Sequence, residues 1–125
     1  MANAKILIVE DEGIVALDLA NRLRRMGYCV VDSVGSGERA IEQATEMRPD
    51  LVLMDIRLRG KLDGIEAAQV IRVQLDIPVI YLTALADRDT IRRAEMTHPA
   101  GYITKPFEDE ELRATIGAAL GRNDA

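Results

Sequence analysis

Five residues carry the chemistry this sequence offers: Glu10, Asp11, Asp55, Thr83 and Lys105. Each closes or follows a short apolar run. "ILIV" leads into Glu10, Asp11 and Glu12; "LVLM" ends in Asp55; "VIYL" ends in Thr83; "GYIT" runs into Lys105 and Pro106. Crowding carboxylates at the end of a buried strand is opposed by mutual repulsion and by desolvation, so the cluster needs a compensating cation. Oxygen-only ligation without His or Cys favours Mg2+ over zinc or iron. A hydroxyl and an ammonium are both donors suited to an anion. A metal on one side of Asp55 and two donors on the other describe a phosphoryl group attached to that carboxylate. Singly, each residue has an ordinary explanation: a solvated strand-end cap, a good β-former, a surface lysine. Their weight comes from convergence, which the fold has to supply.

The elements that must position them follow from periodicity. Apolar runs at residues 4–10, 29–34, 51–55, 77–83 and 101–104 read as strands. Helical patterns lie between them at 12–26, 37–47, 64–75, 87–97 and 108–120. Leu19, Leu23 and Met26 share one face, as do Ala40, Ala44 and Met47, and Leu112, Ile116, Ala119 and Leu120. Asp63 and Asp87 are placed as N-caps, and Gly27 as a helix stop. Strict alternation of this kind predicts a parallel sheet covered by helices on both faces. The first, third and fourth runs are continuously apolar and suit the centre; "CVVDSV" and "GYIT" suit the edges. Right-handed crossovers then give a doubly wound, flavodoxin-like α/β fold with five strands in the order 2-1-3-4-5 and five helices. All strands end on one rim, where such folds bind ligands. Neighbouring strands lie about 4.8 Å apart, so Asp11 and Asp55 become near neighbours with Glu10 beside them.

Bulk properties narrow the classes. The 125 residues, 48% apolar and 30% charged, suffice for one domain with its own core. No apolar run approaches the ~20 residues of a membrane span, and no signal-peptide stretch opens the chain. A net charge of −5 argues against direct nucleic-acid binding. No Trp, three Tyr and one Phe leave little to stack on bases or flavins. The lone Cys29 cannot form an internal disulfide; a buried structural thiol and a cytoplasmic location are expected. His98, before Pro99, is expected to be structural or solvent-facing.

With "IVEDE", "LVLMDIRL", "DGIEAA", "PVIYLTA" and "GYITKPF" in place, the chain resembles response-regulator receiver domains of two-component signalling. The match runs from about residue 4 to residue 120, and one receiver domain over residues 1–125 is expected. The resemblance implies that Asp55 accepts a phosphoryl group from the phosphohistidine of a histidine kinase or phosphotransfer protein. It implies Mg2+ held by Asp11, Asp55 and the Arg57 carbonyl, with Glu10 acting mostly through water. Thr83 and Lys105 would contact phosphoryl oxygens, Tyr102 would turn inward with Thr83 as the switch, and Lys105–Pro106 would be cis. Such a protein catalyses its own phosphorylation and dephosphorylation without being a metabolic enzyme. It signals to a downstream protein or fused output domain, and family analogy adds a homodimer through the fourth helix, fifth strand and fifth helix. The alternative is a phosphorylation-independent interaction module. A flavodoxin is disfavoured because "EDEG" would repel phosphate. A haloacid-dehalogenase-type phosphatase would want an Asp where Arg57 stands.

The sequence departs from the family in one loop. Arg59 takes the place of the usual proline four residues after Asp55, and Gly64 comes nine residues on instead of eight. "IRLRGKLDG" therefore holds an extra residue and three basic ones, Arg57, Arg59 and Lys61. With "DGIEAA" and "PVIYLTA", this loop resembles that of a receiver subgroup often joined to sensory and kinase domains. Arg57 and Leu85 are expected to flank the path of attacking water and lengthen the life of the phosphate. The starting Met favours a natural N-terminus. Only "GRNDA" follows the last helix, so a stand-alone regulator and a piece of a longer protein both remain open.

Overall fold

The computed structural model describes residues 3–84 and 88–123. Strands β1 (Lys5–Val9), β2 (Cys29–Val34), β3 (Leu51–Asp55), β4 (Val79–Thr83) and β5 (Gly101–Thr104) alternate with helices α1 (Gly13–Arg25), α2 (Gly37–Met47), α3 (Gly64–Val70), α4 (Arg88–Glu95) and α5 (Asp109–Asn123). The sheet is parallel throughout, in the order β2-β1-β3-β4-β5. This is the doubly wound, flavodoxin-like order that the apolar runs predict. The three central strands are buried from Ile6, Leu51 and Val79 onward, whereas β2 and β5 are largely half-exposed.

Alternation along the strands builds two cores. Leu7, Val9, Val52, Met54, Val79 and Tyr81 face the layer that includes Ala40, Ala44, Ala67 and Ala94. Ile6, Ile8, Leu51, Leu53, Ile80 and Leu82 face the layer that includes Leu19, Leu23, Leu112 and Ile116. Because successive side chains point to opposite faces, a strand lined on both must be apolar without interruption. The strand C-termini are left as the place where polar groups can enter.

Some local expectations are met, as at Gly27 and Asp63, and others change. Glu12 is the N-cap of α1 but makes no side-chain capping bond, and Gly27 follows the helix at φ +97°. Asp63 caps α3 in a reciprocal capping box with Glu66. The predicted single helix over 64–75 is α3 followed by a π-helical turn over Ile71–Leu75, ending at left-handed Asp76. Met47 does not share the buried face of Ala40 and Ala44; it is exposed where α2 ends at left-handed Arg48. Cys29 is exposed, not buried, because it opens an edge strand at the rim opposite the carboxylates. Asp87, expected to cap α4, lies outside the described residues, as does Leu85. Among the described residues no helix is long and apolar enough to cross a membrane.

Candidate functional site

Four strand ends meet on one rim. Glu10 continues β1, held by its N–H to the Val34 carbonyl at 2.9 Å, and is only 3% exposed. Its Oε2 accepts from the Glu12 N–H at 3.1 Å and its Oε1 from Lys105 Nζ at 2.6 Å. Asp55, the last residue of β3, is 5% exposed. Its Oδ1 accepts from the Arg57 N–H at 3.0 Å and its Oδ2 from Lys105 Nζ at 3.1 Å. Lys105 follows β5, anchored by its N–H to the Thr83 carbonyl at 3.0 Å, and its side chain crosses β4 to reach both acids. Thr83 is buried at the end of β4, in register with Thr104. The Lys105–Pro106 bond is cis. Asp11 completes the group: one carboxylate oxygen each from Glu10, Asp11 and Asp55 lies within 4.8 Å of the others. Asp11, Asp55, Arg57, Arg59, Thr83 and Lys105 all line an open cleft of about 530 Å³.

The electrostatics follow from burial. Asp55 is pushed up from 3.8 to about 6, first by burial and then by the neighbouring Glu10 charge, against the pull of Lys105 and the Arg57 N–H. Burial alone would lower the Lys105 ammonium, but the hydrogen bond to Glu10 and the charge of Asp55 outweigh it and hold it above its usual value. The two shifts are consistent with the distances. Lys105 sits closer to Glu10 than to Asp55, so Asp55 is the acid left under-compensated. Three carboxylates without His or Cys, two of them buried and sharing one ammonium, form a donor set that fits a hard divalent cation.

The loop after β3 is fixed by contacts the sequence did not disclose. A Cβ on Gly64 would fall 1.9 Å from the Asp55 carbonyl oxygen, so only glycine lets α3 begin this close to the strand end. Glu38 on α2 accepts the Leu62 N–H at 2.8 Å. Leu58 packs against the core while Arg57 and Arg59 point outward. Tyr102 lies opposite Tyr81 in register, with ring centroids 6.0 Å apart. Its hydroxyl is buried without a hydrogen-bond partner among the described residues. Buried Tyr81 pairs with Thr97 at 2.7 Å, and burial raises its phenol to about 12. Tyr102 and the basic loop residues are visible in the sequence motifs and Gly64 in its Asp-Gly pair, whereas the Glu38–Leu62 and Tyr81–Thr97 contacts have no sequence signal. His98 is exposed, with left-handed backbone at φ +53°, and lies away from the cleft.

Comparison with known proteins gives a consistent picture. Residues 6–117 match the family model described as the response regulator receiver domain. The transcriptional regulatory protein PdtaR of Mycobacterium tuberculosis is 39% identical over 118 residues, 94% of this chain and 57% of that protein. The DNA-binding response regulator MtrA of Mycolicibacterium paratuberculosis is 37% identical, over 96% of this chain and 52% of its own length. The chain thus spans about half the length of the curated relatives it matches. Among solved structures, the signal receiver domain of a modulated diguanylate cyclase from Desulfovibrio desulfuricans superposes with a TM-score of 0.94 at 35% identity, covering 98% of both chains. The receiver domain of a sensor histidine kinase from Pseudomonas aeruginosa, with a magnesium ion coordinated in its active-site cleft, gives 0.85 at 33% identity over 96% of this chain and 99% of that one.

Proposed function

This chain belongs to the response-regulator receiver domain family, and from that membership we propose that it accepts a phosphoryl group on Asp55 from the phosphohistidine of a histidine kinase or phosphotransfer protein. One observation carries the reading: a lysine reaches across the sheet to hydrogen-bond the Glu10 and Asp55 carboxylates at the sheet's ligand-binding rim. An Asp55 oxygen attacks phosphorus, the P–N bond to the donor imidazole breaks with its electron pair staying on that nitrogen, and a ring protonated on its other nitrogen leaves as neutral imidazole. The product is an acyl phosphate. Asp55 is oriented for this by the Arg57 N–H, and Lys105 offers a positive charge beside the incoming group. Thr83, buried at the neighbouring strand end, supplies a hydroxyl for a phosphoryl oxygen. Mg2+, held by Asp11, Asp55 and the Arg57 carbonyl with Glu10 behind them, would neutralise charge on the nucleophile and the transferring group.

The readout is a change at Thr83 passed to Tyr102, which packs beside Tyr81; Tyr81 bonds Thr97 just after α4, and β5 packs on α5. Downstream partners are a separate protein or a fused output domain, in a cytoplasmic setting, with a second copy across α4, β5 and α5 as a further candidate. The Arg57 side chain, at the cleft edge, slows water attack, so Arg57→Ala should shorten the life of the phosphorylated form. An unchanged half-life refutes that role. The test of the main reading is incubation with acetyl phosphate and Mg2+, read by intact mass. Wild type gains one phosphoryl group and Asp55→Ala gains none. Equal modification of both, or of neither, overturns the assignment.

A further inference from the structure

The three carboxylates of the cleft are not compensated alike. Glu10 and Asp55 share the Lys105 ammonium, at 2.6 and 3.1 Å. Asp11 is not part of that bridge. Its ion-pair partner among the described residues is Arg59, whose Nε lies 3.7 Å from Asp11 Oδ2. Arg59 stands on the irregular loop after β3, and its position there is built. The loop is tied at one end by the Arg57 N–H to Asp55 and at the other by the Leu62 N–H to Glu38. Leu58 packs inward against the core, which turns its neighbour Arg59 outward along the cleft wall. Gly60 then reverses the chain at φ +111°, a conformation that side-chain-bearing residues rarely adopt.

We propose that Arg59 is an exchangeable counter-ion for Asp11, a positioning residue that a divalent cation must displace and that therefore sets the affinity of the cleft for Mg2+. This inference rests on the proposed cation site and deepens it. Asp11 cannot serve the guanidinium and a divalent ion with the same oxygen lone pairs without bringing two positive charges together. The asymmetry of exposure decides which partner yields. The Arg59 side chain is 94% exposed and that of Asp11 20%, so Arg59 leaves into water at little cost while Asp11 stays in place. Lys105 is only 24% exposed and is held by two acids, so it is not the group to be expelled. Of the two cations ion-paired with the three carboxylates among the described residues, Lys105 is fixed and Arg59 can be traded.

The experiment is a direct binding titration by calorimetry, with Mg2+ as the probe and no phosphodonor. Wild type is compared with Arg59→Gln and with Lys61→Gln, which removes the same charge from the same loop. Removing a competing exposed ion pair should tighten Mg2+ by about two- to fivefold at low salt. The gain should fade between about 0.1 M and about 1 M salt, as the screening length falls from about 10 Å to about 3 Å. Lys61→Gln should change affinity by less than half as much. Equal gains for the two variants would mean a diffuse field effect, and no gain for Arg59→Gln would mean no competition; either overturns the proposal. Asp11→Asn separates this from the underlying site. If wild type binds no Mg2+, or Asp11→Asn binds it as wild type does, the cation site fails and the counter-ion role fails with it. If Asp11→Asn weakens binding while Arg59→Gln leaves it unchanged, the site stands and only the role of Arg59 is lost.

Discussion

Replacing Asp55 by Asn should stabilise the metal-free protein, and should do so only above the pH at which Asp55 ionises. The carboxyl is buried, and its folded value rises from 3.8 to about 6 because burial and then the Glu10 charge disfavour the anion. For an acid raised in this way, the native state binds more protons than the unfolded chain between about pH 4 and about pH 6. Stability therefore falls as pH rises through that window and stays lower above it. A rise from 3.8 to about 6 corresponds to about 3 kcal/mol at neutral pH. Lys105 does not blur the window, since its value is raised from 10.5 and its contribution is lost only as pH climbs through that higher value. Asn keeps an oxygen able to accept from the Arg57 N–H, while its amide nitrogen cannot accept from Lys105 Nζ. That bond at 3.1 Å is lost, Lys105 keeps Glu10, and the expected gain is smaller than the full cost of the charge. In EDTA, urea unfolding near pH 8 should show Asp55→Asn more stable by about 1–3 kcal/mol with an unchanged slope. Near pH 4 the difference should vanish. A gain that persists undiminished at pH 4, or a loss at pH 8, would refute the claim that an under-compensated charge at Asp55 strains the fold.

Other perturbations test the supports of the same site. Gly64→Ala places a Cβ 1.9 Å from the Asp55 carbonyl oxygen, so the backbone must move; a loss of about 3 kcal/mol in urea unfolding is expected, together with slower phosphorylation by acetyl phosphate. Lys105→Ala leaves buried Glu10 without its ammonium and should cost about 2–3 kcal/mol in urea unfolding near pH 8 in EDTA. Tyr81→Phe removes a buried hydroxyl that must be the donor to Thr97, because the single Thr97 proton is given to the Ala94 carbonyl at 2.6 Å. Its cost should be about 1 kcal/mol, with faster amide exchange concentrated at residues 94–97.

The sequence was most legible where one physical constraint dominated. Strands lined on both faces must be apolar throughout, so the order of the sheet could be read from three uninterrupted runs. Once that order is known, the rim is determined, and Glu10, Asp11, Asp55, Thr83 and Lys105 fall together without further information. At Cys29 apolar character does not bring burial, because the first residue of an edge strand has no neighbour on one side. The π-helical turn over Ile71–Leu75 left no trace either, since its residues satisfy an α-helical pattern equally well. Contacts between distant residues, such as Tyr81 with Thr97 or Arg59 with Asp11, have no periodic signature at all.

The loop after β3 shows how a departure in spacing can leave a site intact. One extra residue between Asp55 and Gly64 could have displaced the glycine from the strand end. Instead Gly64 donates its N–H to the Ile56 carbonyl at 3.0 Å and keeps its close approach to the Asp55 carbonyl. The surplus is taken up between Leu58 and Leu62, where Gly60 turns the chain and Glu38 receives the Leu62 N–H. The insertion is therefore buttressed by α2 while the start of α3, with its Asp63–Glu66 capping box, stays tied to the β3 end. A site assembled from strand ends tolerates such a change because the sheet, not the loop, sets the distance between Asp55 and Lys105. The loop is then free to carry new chemistry, and here that chemistry is the positive charge of Arg57 and Arg59 lining an acidic cleft.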